Sequence, residues 1–149
     1  EDRTKLWQAR HNAYFAGLSL RPGAMSIATD VCVPISRLAE CVVETQRDIA
    51  ASGLIAPIVG HVGDGNFHTS PLCDPDDLEE RAKVEAFAGR LVERALAMGG
   101  TCTGEHGIGQ AKMKYMAKEH SPGALEAMRA IKHALDPQGI LNPGKIVAF

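Results

Sequence analysis

The chain has 149 residues, which suits one domain with a core of its own. Sixteen basic side chains against 18 acidic ones give a net charge of −2, without the basic excess of a nucleic-acid binder. Hydrophobic residues make up 45%, too many for a disordered tail, yet no apolar run approaches the ~20 residues of a membrane span.

The periodicity predicts a first helix over residues 2–17, with Leu6, Arg10, Ala13 and Gly17 on one face and a break at Arg21-Pro22-Gly23. Residues 25–33 alternate as a strand, with Met25, Ile27, Val31 and Val33 on one side and Ser26, Ala28, Asp30 and Cys32 on the other. After Pro34, helical spacing of Leu38, Val42, Thr45 and Ile49 runs to Gly53. Two apolar runs, 54–62 and 66–72, flank Gly63-Asp64-Gly65, which signals a hairpin with a two-residue Asp-Gly turn. Asp74 is expected to cap the next helix, with Pro75 in its first turn and Val84, Phe87, Leu91, Ala95 and Met98 on its buried stripe. That helix stops at Gly99-Gly100, and Thr101-Cys102-Thr103 reads as a short strand.

From residue 25 the order is thus β-α-β-β-α-β. The expected class is α+β, a ferredoxin-like antiparallel sheet with helices on one face. An N-terminal helix and two C-terminal helices, over 108–120 and 122–134 with Ser121 capping the second, would complete it. The four cysteines form no C-x-x-C pair and read as small hydrophobes in a reducing compartment.

Three of the six histidines fall in two Gly-rich segments. In His61-Val62-Gly63-Asp64-Gly65-Asn66-Phe67-His68, a two-residue turn would set His61 opposite His68. Opposed residues share a face, so both imidazoles could reach one divalent ion. A pair of surface hairpin histidines is the competing reading until a third ligand is found. Glu105, in Thr103-Gly104-Glu105-His106-Gly107, is the candidate third ligand. The resulting two-His, one-carboxylate set suits Zn, Mn or Fe. The alternative for Glu105 is to cap the helix that follows it. His106 would stay free of the metal and could serve as a general base. His11, His120 and His133, and the lysines Lys112, Lys114 and Lys118, read as solvated surface; Asp64 reads as a turn residue, and Met113 and Met116 as packing. The glycines of residues 104–109 lack the G-x-G-x-x-G order of a dinucleotide site.

His-x-Gly-Asp-Gly-Asn-x-His, Gly-Glu-His-Gly and Asn-Pro-Gly-Lys occur in that order, beside residues 6–13 and 29–38. As a set they resemble the C-terminal region of FAD-linked D-2-hydroxy-acid dehydrogenases, nearest the D-lactate dehydrogenase (cytochrome) branch, with glycolate oxidase flavin subunits and D-2-hydroxyglutarate dehydrogenases as cousins. The resemblance implies that residues 1–149 are a cap and substrate domain, that the FAD-binding domain precedes them, and that the polar start at Glu1, without an initiator Met, marks a fragment. It also implies a divalent ion on His61, His68 and Glu105, His106 as base, Arg10 on the substrate carboxylate, and Asn142 in a terminal motif near the flavin. Ala28 stands where the hydroxyglutarate branch carries a Lys for a distal carboxylate, which argues against a dicarboxylic substrate.

The reaction so implied is oxidation of D-lactate or a similar 2-hydroxy monocarboxylate, with hydride passing to flavin and electrons to cytochrome c or a quinone-linked protein. The fragment alone would not turn over. A homo-oligomer is compatible with this reading, as is a place in the bacterial cytoplasm, at the periphery of the bacterial inner membrane, or in the mitochondrion of a eukaryote. Two rivals remain: a stand-alone two-His, one-carboxylate metalloenzyme, and a non-catalytic ferredoxin-like binding module.

Overall fold

The computed structural model describes residues 2–147. Helix α1 (Asp2–Leu18) opens the chain and is followed by β1 (Met25–Ser26) and β2 (Val31–Cys32). The strand expected over 25–33 is therefore two short pieces. Between them Thr29 N donates to Thr69 O at 2.8 Å, while β1 pairs with β5 (Leu72–Cys73) and β2 with β4 (Asn66–Thr69). Pro34 precedes α2 (Ile35–Ser52), which ends at Gly53 in the left-handed region.

β3 (Ile58–His61) and β4 form the expected hairpin, but its loop is longer than expected. His61 pairs with Asn66, Gly60 with Phe67 and Val59 with His68, leaving four residues, 62–65, in the loop. The close approach of Gly65 to β2 accounts for this. Val33 N donates to Gly65 O at 3.0 Å, and a Cβ on Gly65 would stand 2.1 Å from Val33 O. The correction moves the register by two residues, so every side chain keeps its face.

Helix α3 (Leu78–Ala97) is capped by Asp77 rather than Asp74: the Asp77 carboxylate accepts from Glu79 N and Glu80 N at 2.8 and 3.0 Å. Asp74 instead accepts from Asp76 N, closing the turn before it, and Pro75 lies in that turn. After α3, Thr101 makes a single bridge to Cys32. Antiparallel neighbours run Thr101, β2, β4, β3, so the β-α-β-β-α-β succession holds with its last strand reduced to one residue. The class is α+β.

The helix expected over 108–120 is mostly absent. Gly107 and Gly109 have positive φ, and the chain makes turns, a 3-10 turn at Met113–Tyr115 and a single-turn helix α4 (Met116–Glu119). Helix α5 (Pro122–Leu135) follows, its Ser121 Oγ accepting from Ala124 N.

Helices α2 and α3 cover one face of the sheet. Val31, Phe67, Leu91 and Ala95 are at most 2% exposed there, and each of the three larger side chains contributes roughly 1.5–3 kcal/mol by burial. Asp48 on α2 binds both Arg90 and Arg94 of α3, at 2.7 and 2.9 Å. The four cysteines are free thiols; burial, seconded by Glu119, pushes the Cys102 thiol up to about 12, so it stays protonated and inert. On the opposite face lie Asn66, His68 and His61, and α1 approaches it closely enough that a Cβ on Gly17 would stand 3.3 Å from Pro57 Cγ.

Candidate metal and substrate site

Between α1 and that open sheet face lies a cavity of about 360 Å³. Its polar lining includes Arg10, His61, His68, Glu105 and His106; Ala13, Tyr14, Pro57 and Val59 also line it. Five of the six site residues expected from the sequence therefore meet in one place.

The hairpin brings the two histidines together diagonally instead of face to face. His61 pairs with Asn66, two residues before His68, so both rings point to the same side with centroids 5.7 Å apart. Diagonal neighbours are within reach of rings this size. Glu105 arrives from the loop after α3. Its Oε1 lies 3.0 Å from His68 Nε2 and 3.5 Å from His61 Nε2. It caps no helix, because none starts there.

These three donor atoms lie within 4.8 Å of one another. Ligands ~2.0–2.1 Å from a tetrahedral ion stand about 3.3 Å apart, and the two Glu105 distances bracket that spacing. The donor set fits a divalent ion. The orientation of His68 fits as well: Nδ1 is 3.0 Å from Thr29 O, which can only accept, so Nδ1 donates there and Nε2, on the Glu105 side, is the atom available to an ion. Exposure grades the set, since the side chain of His68 is 12% accessible and that of Glu105 52%.

His106 stacks on His68 with centroids 5.1 Å apart, and its Nε2 lies 3.8 Å from Glu105 Oε1. It borders the donor set without joining it. Arg10 reaches in from α1, with Nη2 3.4 Å from His61 Nδ1 and its guanidinium 5.6 Å from the Trp7 ring. Asn142 is not brought here. It sits in the C-terminal turn at φ 47°, with Lys145 Nζ 3.4 Å from its Oδ1. Ala28 does not line the cavity.

The sequence reading passed over Asp30. This carboxylate is 1% exposed and holds the loop that carries Glu105 and His106. Burial pushes its acidity toward the neutral form, but donation from His106 N, Thr103 Oγ1, Asn66 Nδ2 and Glu105 N outweighs burial and holds it far below the ordinary carboxylate range. Lys112, expected on a solvated face, instead turns inward, its Nζ donating to Asp30 O at 2.8 Å. One signal in the sequence pointed to Asp30: a lone carboxylate amid the otherwise uncharged residues 25–33.

Residues 1–146 match the family described as FAD linked oxidases, C-terminal domain. A probable mitochondrial D-lactate dehydrogenase of Danio rerio is 51% identical over 147 residues, covering 99% of this chain and 30% of the fish protein. The mitochondrial D-lactate dehydrogenase [cytochrome] of Arabidopsis thaliana is 45% identical over 99% of this chain and 26% of its own length. A glycolate oxidase subunit of Bacillus subtilis is 39% identical, over 99% of this chain and 31% of its own length. The chain thus spans about a third or less of these relatives. A 4-ethylphenol oxidase from Gulosibacter chungangensis, in complex with isoeugenol, has the same fold at a TM-score of 0.68 and 23% identity, covering 97% of this chain and 30% of that one.

Proposed function

Starting from the chain's membership of the C-terminal domain family of FAD-linked oxidases, we propose that it is the substrate and metal domain of an enzyme that oxidises D-lactate, or a similar short D-2-hydroxy monocarboxylate, to the 2-keto acid. FAD would be bound mainly by a domain outside this chain. The observation that carries the proposal is the convergence of His61, His68 and Glu105 beside Arg10 and His106 in one cavity.

When bound, the divalent ion supplies Lewis-acid polarisation of the α-hydroxyl, and the flavin supplies the two-electron acceptor. His61, His68 and Glu105 would hold the ion. The Arg10 guanidinium would pair with the substrate carboxylate, a charge-assisted contact that orients the Cα–H bond. His106, its side chain half exposed at the rim, would take the hydroxyl proton as general base. Ala13, Pro57 and Val59 would enclose the substrate's short aliphatic group, and among the described residues Arg10 is the only Lys or Arg lining this cavity. A second carboxylate would meet no such partner there, which favours monocarboxylates. Asn142 would face the flavin side from the C-terminal turn. Cytochrome c, or another one-electron carrier, would reoxidise the flavin, and in a eukaryote the enzyme would work in the mitochondrion, as the names of the relatives indicate.

Anaerobic mixing of the flavin-loaded full-length protein with D-lactate should bleach the flavin, and L-lactate should not. Close to one divalent ion per chain should copurify and be lost in His61→Ala. Bleaching by neither enantiomer would remove the substrate assignment. A metal-free wild type with full activity would remove the metal site.

A further inference from the structure

The site is assembled from two chain segments about forty residues apart: the β3–β4 hairpin, with His61 and His68, and residues 103–106, with Glu105 and His106. Among the described residues, no backbone hydrogen bond joins the hairpin to the second segment. The link is Asp30. Its Oδ2 accepts from Thr103 Oγ1 at 2.8 Å, Gly104 N at 2.9 Å, Glu105 N at 3.0 Å and His106 N at 2.8 Å. Its Oδ1 accepts from Asn66 Nδ2 at 2.9 Å, on the strand residue that pairs with His61 and sits two before His68. Lys112 Nζ donates to its carbonyl and lies 3.5 Å from Oδ2. Its neighbour Thr29 fixes the tautomer of His68.

We infer that Asp30 is the positioning residue of this site, a buried anion that holds the Glu105–His106 backbone against the histidine hairpin and so sets the geometry of the donor atoms. The inference rests on the metal site proposed above. Five donors converge on one side chain, and a carboxylate alone accepts at both ends. An amide of the same shape offers one acceptor oxygen. Aimed at residues 103–106, that oxygen would turn its NH₂ onto Asn66, whose amide would have to flip to accept and would leave its own NH₂ unpaired where the partnerless Oδ1 now lies; turned the other way, it would set NH₂ against three backbone N–H groups. Either orientation leaves buried donors unpaired and lets one half of the site drift.

Mn²⁺ titration of the purified full-length protein, read from the EPR signal of unbound Mn²⁺, tests this. His61→Ala serves as the no-site control, and melting temperature and flavin content report folding. Asp30→Asn should bind Mn²⁺ roughly 10–100-fold more weakly, as for other residues that orient metal ligands, with KM changed much less than kcat because Arg10 lies on a separate helix. Thr103→Val, which removes one donor and keeps the charge, should weaken binding in the same direction by less. Asp30→Asn with wild-type Mn²⁺ affinity overturns the inference. Should Asp30→Asn fail to fold, wild-type affinity in Thr103→Val overturns it instead. A wild type that takes up no Mn²⁺ overturns the metal reading itself and this inference with it, whereas His61-dependent binding that ignores Asp30 and Thr103 overturns this inference alone.

Discussion

Arg10 on α1 and His61 on the hairpin meet with Nη2 and Nδ1 3.4 Å apart. A guanidinium only donates, so in this contact Nδ1 accepts and the His61 proton lies on Nε2, the atom that faces Glu105. An ion at the site needs the opposite tautomer, which turns an N–H toward Arg10 and drives the guanidinium away from the ring. Metal loading would therefore free Arg10 for the substrate carboxylate. Arg10→Met should lower kcat/KM for D-lactate by roughly 10–100-fold, mostly through KM, as expected for one lost charge-assisted hydrogen bond. The same variant should bind Mn²⁺ slightly more tightly. Weaker Mn²⁺ binding, measured by the same EPR titration, would show that Arg10 supports His61 instead of competing for it.

His106 stacks on His68 yet stays out of the donor set. Substituting it should leave metal content intact while removing the proton acceptor. His106→Gln should slow flavin reduction by roughly 10²–10⁴-fold with little change in substrate affinity. Stopped-flow measurement of anaerobic flavin bleaching against D-lactate concentration separates the two quantities. A variant that changes only the half-saturation concentration takes His106 out of the base role.

The α+β class and the juxtaposition of His61 with His68 were legible because they depend on periodicity and parity. Alternation over residues 58–61 and 66–69 puts His61 and His68 on one face whether the loop holds two residues or four. The loop length itself was not legible, because it follows from Gly65 packing against Val33, a contact between segments distant in sequence. The same holds for the 108–120 segment. Its helical spacing was overridden by left-handed Gly107 and Gly109 and by Lys112 turning inward to the carbonyl of Asp30. Asp30 was missed because alternation assigns a residue to a face and says nothing of what waits there. That its face is covered by residues 103–106 is tertiary information.

Gly104 lies where the two halves of the site press together. A Cβ there would fall 1.6 Å from Asn66 Nδ2 and 2.9 Å from Asp30 Oδ1. Asn66 is only 5% exposed and cannot swing into solvent. Gly104→Ala should therefore displace the loop and weaken Mn²⁺ binding at least as much as Thr103→Val. Gly63→Ala, on the hairpin loop with nothing within 4 Å of the added Cβ, is the matched control and should bind normally. Equal affinities in the two variants would show that the loop position does not govern the ligand geometry.

Asp48 joins α2 to α3 and should contribute to the acid sensitivity of the fold. Hydrogen bonding from Arg90 is the largest influence; burial opposes it, and Arg94 adds to it, so the carboxyl falls from its ordinary 3.8 to about 2. Its side chain is 12% exposed and that of Arg94 15%, but that of Arg90 is 48%, so solvent screens the Arg90 contact in part. A carboxylate depressed in the folded state stabilises that state above its unfolded value, and the contribution disappears as pH falls through the folded value. At ~1.4 kcal/mol per unit, and with the Arg90 contact partly screened, the shift corresponds to at most ~2 kcal/mol at neutral pH, lost progressively between pH ~4 and ~2. Asp48→Asn should therefore be less stable than wild type by up to ~2 kcal/mol in urea unfolding at pH ~7, with the gap roughly halved by pH ~3. A gap that stays constant across that range would mean that the α2–α3 contact is held by packing, with the Asp48 charge contributing nothing.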